Sequence, residues 1–164
     1  MALSIKNTIQ KFIQLFPLLF LFYISLSGNS LINLKYFTIN ISYIIVYYWV
    51  LRKPEALGYG FIFLAGIITD VIFGFPLGAN ALSLLVISGV AAYVRLVTVR
   101  ITLLGDWISF FPALIFTNLI YFLSLYFLNF EVDYFILFIN SISTLCVYPL
   151  LWVVFSIFLN ISKS

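Results

Sequence analysis

The chain has 164 residues, of which 65% are hydrophobic and only 8% are charged. A soluble domain carries roughly a quarter charged residues and about half apolar ones, so this composition predicts an all-α integral membrane protein. The net charge of +3 is too small and too scattered for nucleic-acid binding. The absence of histidine excludes imidazole metal sites and histidine-based catalysis.

The first predicted helix covers residues 5–27. A signal peptide has a similar outline, with Ser25 and Ser27 as a small-x-small pair before a cleavage point. The long and bulky apolar run instead favours a retained helix. The second predicted helix, residues 34–51, ends in aromatic residues followed by an Arg-Lys pair, which is typical of a membrane interface.

The third and fourth predicted helices, residues 56–73 and 79–97, carry small residues at helical spacing. Small residues allow neighbouring backbones to approach closely in a bilayer, so these faces are predicted to contact protein and are candidates for binding the helix of a partner. The residues concerned are Ala65, Gly66, Thr69, Ser88 and Ala92.

The fifth and sixth predicted helices cover residues 107–128 and 134–159. Asp106 is predicted to be the N-cap of the fifth helix, and the Tyr148-Pro149 pair is predicted to mark a kink in the sixth. Cys146, the single cysteine, lies inside this apolar run and is predicted to be a small buried side chain without a disulfide partner.

Six runs of this length predict six transmembrane helices in one domain, residues 1–164. Placing both termini in the cytoplasm puts seven of the eight basic residues on the cytoplasmic side and only Lys35 outside. This distribution follows the positive-inside rule.

The turn between the third and fourth helices contains the feature with the strongest functional interest, Asp70. An ionisable group inside a membrane segment is costly unless it faces protein and finds partners. We expect its carboxylate to accept hydrogen bonds from free amides at the start of the fourth helix, which would clamp the hairpin. A proton or ion relay, or a contact with a partner helix, is the alternative.

Polar residues on the last two helices are predicted to lie in the outer half of the membrane or near its middle. They form a candidate polar cluster, for which ordinary interhelical hydrogen bonding is the favoured interpretation. The cluster consists of Asn118, Asn140 and Thr144. No arrangement of residues indicates a catalytic, cofactor or metal site, so an enzyme is not expected and no cofactor is predicted.

The hairpin sequence resembles the rod shape-determining protein MreD family, in which an Asp is followed by a Gly-x-Pro-x-Gly turn and an Asn- or His-containing apolar helix. In this chain the pattern reads Asp70, Gly74, Pro76, Gly78 and Asn80. Chain length, six spans, cytoplasmic termini and short loops agree with the family across essentially the whole sequence.

The resemblance implies a non-enzymatic, multi-pass protein of the bacterial inner membrane that acts in cell elongation and the regulation of cell shape. It implies as partners the bitopic protein MreC and, indirectly, the actin-like MreB, the peptidoglycan polymerase RodA and its penicillin-binding transpeptidase, in addition to membrane lipid. No nucleic-acid partner is expected.

The MreD family also resembles the substrate-binding subunits of energy-coupling-factor vitamin transporters in architecture, so a small-molecule-binding transport subunit is the alternative function. This chain departs from those subunits in two respects. Its first helix, around Pro17, lacks their Ala-x-x-x-Ala docking pattern, and no long outer loop is present to close over a vitamin.

Overall fold

The structure, a computed structural model, describes residues 2–27, 39–98, 102–130 and 134–161, with side chains in 15–27, 39–98, 102–130 and 135–160. All regular secondary structure in these ranges is helical, as the sequence predicts. The six α-helices are α1 (Ala2–Ser27), α2 (Ile41–Arg52), α3 (Tyr59–Phe73), α4 (Ala79–Val97), α5 (Leu103–Phe127) and α6 (Tyr134–Ile161).

Three of the described helices are long and apolar enough to cross a membrane, namely Ala79–Val97, Leu103–Phe127 and Phe135–Asn160. Their outer faces carry many exposed large hydrophobic side chains, such as Leu96 at 85% exposure and Phe127 at 77%. A folded chain exposing so much apolar surface is suited to a lipid environment, which supports membrane association.

The short helix α2 lies at the centre of the structure. Eleven of its 12 residues are buried, and its apolar and aromatic side chains face α1, α4, α5 and α6. A helix that is hydrophobic on all sides is expected to be surrounded by protein. The outer helices therefore assemble around α2.

The starts of α2, α3 and α5 differ from the sequence predictions, as does that of α1, which begins at Ala2 instead of residue 5. In the predicted second helix, residues 34–38 lie outside the described residues, and α2 begins at Ile41. Helix α3 begins at Tyr59 because Pro54–Ala56 form a separate 3-10 turn and Gly58 has a φ of +46°. Helix α5 begins at Leu103, four residues earlier than predicted.

The early start of α5 corrects the predicted role of Asp106. Thr102 is the N-cap, and its Oγ1 accepts a hydrogen bond from the Gly105 amide at 3.2 Å. Asp106 lies within the first turn and is only 2% exposed. The prediction failed because aspartate and threonine are both common N-cap residues, and only the tertiary contacts of Asp106 distinguish the two positions.

The middle of α6 contains Pro149, which cannot donate a backbone hydrogen bond to the carbonyl of Leu145 four residues earlier. The indole Nε1 of Trp107 donates to that carbonyl at 3.0 Å. The proline therefore creates a point at which α5 binds the backbone of α6. Cys146, next to this point, is exposed and not buried as predicted, because it lies on the outward side of α6.

Candidate functional site

The α3–α4 hairpin is organised by glycines at both ends of its turn. Gly74 ends α3 with a φ of +65°, and its amide donates to the carbonyl of Asp70. Gly78, with a φ of +98°, occupies the N-cap position of α4. Both φ values lie in a region that residues with a side chain rarely adopt, so these two positions require glycine.

Helix α4 has no capping side chain of its own, and Asp70 takes that role from α3. Its Oδ2 accepts from the Gly78 amide at 2.8 Å, and its Oδ1 accepts from the Asn80 amide at 3.0 Å and from the Asn80 side-chain Nδ2 at 2.8 Å. The Asp70 side chain is 0% exposed. A carboxylate at the positive end of a helix is favourably placed, so both oxygens are used to join α3 to α4.

The close approach of the two helices makes this contact possible. A Cβ atom added to Gly66 would lie 2.3 Å from the Cα of Ala81, so α4 packs directly onto the backbone of α3. Gly66 is one helical turn before Asp70, and Ala81 follows Asn80. The glycine therefore sets the spacing at which the Asp70 carboxylate reaches the α4 amides.

The other small residues predicted for partner binding also pack inside this chain. Ala65, Thr69 and Ser88 are at most 6% exposed, and Ala92 is half-buried against the core. The hydroxyls of Thr69 and Ser88 donate to carbonyls of their own helices. In this chain the small side chains pack between its own helices, and the binding of a partner helix by these faces stays a prediction.

The predicted polar cluster is joined in pairs. Asn118 of α5 donates to Ser141 of α6 at 2.7 Å. Thr144 of α6 accepts from the Asn40 amide at the start of α2 at 3.0 Å, and it donates to the carbonyl of Asn140 at 2.7 Å. The first two contacts tie α6 to α5 and to the residue preceding α2, and the third lies within α6.

A second buried carboxylate, Asp106, which was predicted only as an N-cap, lies beside the C-terminal end of α2. Oδ2 of Asp106 accepts from Nη2 of Arg52 at 3.2 Å and from Nε1 of Trp152 at 2.7 Å. The Arg52 guanidinium carbon lies 4.7 Å from the ring centroid of Tyr48 and 4.8 Å from that of Trp152. The cation is thus paired with a carboxylate and flanked by two aromatic rings.

This Arg52–Asp106 pair joins α2, α5 and α6 at one end of the bundle, as the Asp70 contacts join α3 and α4 at the other. The sequence does indicate that Asp106 needs a partner, because an acidic residue in an apolar segment is costly when unpaired. Because Arg52 and Asp106 are 54 positions apart in the sequence, no local pattern identifies Arg52 as that partner.

No protein-family model, curated protein or solved structure matches this chain.

Proposed function

We propose that this chain is a non-enzymatic, MreD-like subunit of the cell-elongation complex in the bacterial inner membrane. It binds MreC and thereby links MreB filaments to the peptidoglycan-synthesising pair of RodA and its transpeptidase. The observation that carries the proposal is the hairpin motif. Its acidic residue, Asp70, is buried, and the chain's own α4 amides and the Asn80 side chain engage both of its oxygens.

This geometry favours a structural role for Asp70 over chemistry on a substrate. A general acid or base must reach a substrate proton, whereas the Asp70 carboxylate is enclosed by its own hairpin. The second buried carboxylate, Asp106, is likewise held by Arg52 and Trp152. Both acidic residues therefore hold helices of this chain together, which supports the proposed non-enzymatic role.

The topology we propose has six spans with both termini in the cytoplasm. The remaining helices, α1, α2 and α3, complete the six. In this orientation Arg52 and Arg95, at the ends of α2 and α4, lie on the cytoplasmic side. A periplasm-active reporter fused at Ser164 is expected to remain silent.

The partner surface is formed by the lipid-facing side chains, since the small-residue faces are occupied. Exposed candidates include Val71 on α3 at 63%, Leu96 on α4 at 85% and Leu150 on α6 at 68%. A photoreactive amino acid at each of these positions is expected to crosslink MreC from at least one helix. The same probe at buried Ile87 of α4 is the matched control and should not crosslink.

Co-purification in mild detergent tests the proposal directly. MreC should remain with the chain, whereas an unrelated single-span protein expressed at the same level should not. Loss of MreC together with retention of a small molecule, detected by mass spectrometry of the purified chain, would instead support the alternative of a vitamin-type transport subunit.

A further inference from the structure

The turn between α3 and α4 carries no polar side chain. Residues 71–79 read Val-Ile-Phe-Gly-Phe-Pro-Leu-Gly-Ala. Large side chains among them are well exposed, including Val71 at 63%, Phe73 at 43% and Leu77 at 71%. Turns that face water usually combine glycine and proline with Asn, Asp or Ser, and this turn has only the first two. Its exposed surface is therefore unusual for a connection in contact with water.

The backbone amides of the turn donate within the chain. Asp70 accepts from four of them, two through its backbone carbonyl and two through its carboxylate, and the carbonyl of Pro76 accepts from a fifth. The donors are the amides of Gly74, Phe75, Gly78, Ala79 and Asn80. Among residues 74–80 that have an N–H, only Leu77 is outside this set. Since hydrocarbon holds no water, backbone polar groups there must be satisfied by the protein, and these bonds lower the cost of placing the turn in lipid.

The C-terminal end of α5 extends the apolar surface of the turn. The ring centroid of Phe75 lies 5.7 Å from that of Phe130 and 6.2 Å from that of Phe73. Leu128 is 56% exposed, and Asn129 contributes the polar side chain between Leu128 and Phe130. We call this surface the apolar cap. It consists of Val71, Phe73, Phe75, Leu77, Leu128 and Phe130.

The opposite end of the bundle has the features of a boundary between membrane and water. All three tryptophans of the chain lie there, Trp49 and Trp152 beside Arg52 and Trp107 in the first turns of α5. Tryptophan and basic residues are enriched at such boundaries. The apolar cap contains neither of them, and the carboxylate beside it, Asp70, is 0% exposed. The composition of the cap is therefore that of a surface in hydrocarbon.

We propose that the apolar cap lies among lipid acyl chains, below the head groups of the membrane, and not in the aqueous phase. Acyl chains are the occupant that both observations favour, because hydrocarbon requires apolar side chains and also paired backbone amides, whereas a protein surface can supply partners for free amides. Glu131 and Asp133, which follow the cap in the sequence, lie outside the described residues.

The proposal rests on the membrane-spanning topology proposed above and is independent of MreC. It also restricts how any partner reaches the hairpin. A membrane-embedded segment can contact the α3–α4 turn, whereas a soluble periplasmic domain cannot.

Spin labels measure the position of the cap directly. Cys146 is the single cysteine of the chain and is exposed, so Cys146→Ala provides a background for one new cysteine at a time. The full chain is labelled with a nitroxide and reconstituted in dioleoylphosphatidylcholine vesicles. Collisions are measured with molecular oxygen, which concentrates in hydrocarbon, and with a water-soluble nickel chelate on both sides of the membrane. Leu77→Cys tests the cap, and Val71→Cys provides a second site.

Two further positions serve as references. Phe116 lies in the middle of α5 and is 52% exposed, so a label at Phe116→Cys reports acyl chains. Glu55 is exposed at the other end of the bundle, so a label at Glu55→Cys reports water. We expect the labels at Leu77 and Val71 to lose access to the nickel chelate and to retain access to oxygen, as the label at Phe116 does.

Two results overturn the proposal. If the labels at Leu77 and Val71 collide with the nickel chelate as often as the label at Glu55, the cap is in water. If they are reached by neither oxygen nor the chelate, a protein surface such as a second copy of the chain covers the cap. In both cases a protected label at Phe116 leaves the proposed topology standing. Access of the chelate to Phe116 as well would overturn the topology and the proposal together.

Discussion

The contact between Gly66 and Ala81 allows a sharp test of how the hairpin is held together. In Gly66→Ala the new Cβ would lie 2.3 Å from the Cα and 2.6 Å from the backbone nitrogen of Ala81, whereas ordinary contacts begin at 3.4 Å. The two helices must therefore separate by about 1 Å at this point. Overpacking of this kind typically costs about 1–3 kcal/mol.

The separation also acts on the neighbouring Asp70 contacts. The three hydrogen bonds to its carboxylate are 2.8, 2.8 and 3.0 Å long, and a displacement of about 1 Å would take them beyond hydrogen-bonding distance. Losing one bond to a charged group costs about 1.5–3 kcal/mol. With one such bond lost, we expect a total destabilisation of about 2.5–6 kcal/mol for Gly66→Ala.

The matched control is Gly89→Ala in the middle of α4. Nothing lies within 4 Å of the Cβ that it adds, and replacing glycine by alanine inside a helix stabilises by up to about 1 kcal/mol. Unfolding by titration with sodium dodecyl sulfate, followed by tryptophan fluorescence, should place the two variants on opposite sides of the wild type.

The same titration separates a backbone clash from a side-chain clash. Because the new Cβ meets backbone atoms of Ala81, the second substitution Ala81→Gly should not restore the stability of Gly66→Ala. Wild-type unfolding of Gly66→Ala, or full rescue by Ala81→Gly, would refute the argument that backbone contact sets the spacing of the hairpin.

Three further predictions use the same unfolding measurement. Asp70→Asn places an amide N–H against backbone donors and should destabilise the fold by about 1–3 kcal/mol. The control Glu55→Gln, at an exposed position, should stay within about 0.5 kcal/mol of wild type, and equal unfolding midpoints for the two variants would argue against the clamp. Arg52→Gln leaves the Asp106 carboxylate without its cation and should destabilise the fold by about 3–5 kcal/mol. Adding Asp106→Asn should recover much of this loss, and additive destabilisation by the two substitutions would contradict the pairing. Thr102→Ala removes the α5 cap and should destabilise by about 1 kcal/mol, and no change would mean that the cap contributes nothing.

The sequence predicted those features of the fold that have local causes. Glycine and proline positions placed the hairpin turn, and a buried carboxylate close to free helix amides led to the expected contact between Asp70 and α4. The helical class and the start of α4 followed from apolar runs bounded by turn residues. Each of these depends on residues within about ten positions of one another, so one stretch of sequence contains the whole signal.

Features that depend on distant residues were predicted poorly. The role of Asp106 depends on Arg52 and Trp152, which belong to two other helices, and no local pattern distinguishes it from a cap. Gly66 was correctly expected to face protein, but the sequence did not identify that protein as α4 of the same chain. The exposure of Cys146 depends on which side of α6 packs inward, and a nearly uniform apolar helix gives little indication of that.

The separation of Arg52 and Asp106 along the chain has a consequence for how the protein is made. At about 5–20 residues per second, the ribosome adds the 54 positions between them in about 3–11 s. During this interval the guanidinium of Arg52 has been synthesised, and its carboxylate partner has not. The contacts at this end of the bundle therefore cannot form before α5 has been synthesised, and the rate of synthesis sets how long Arg52 lacks its carboxylate partner.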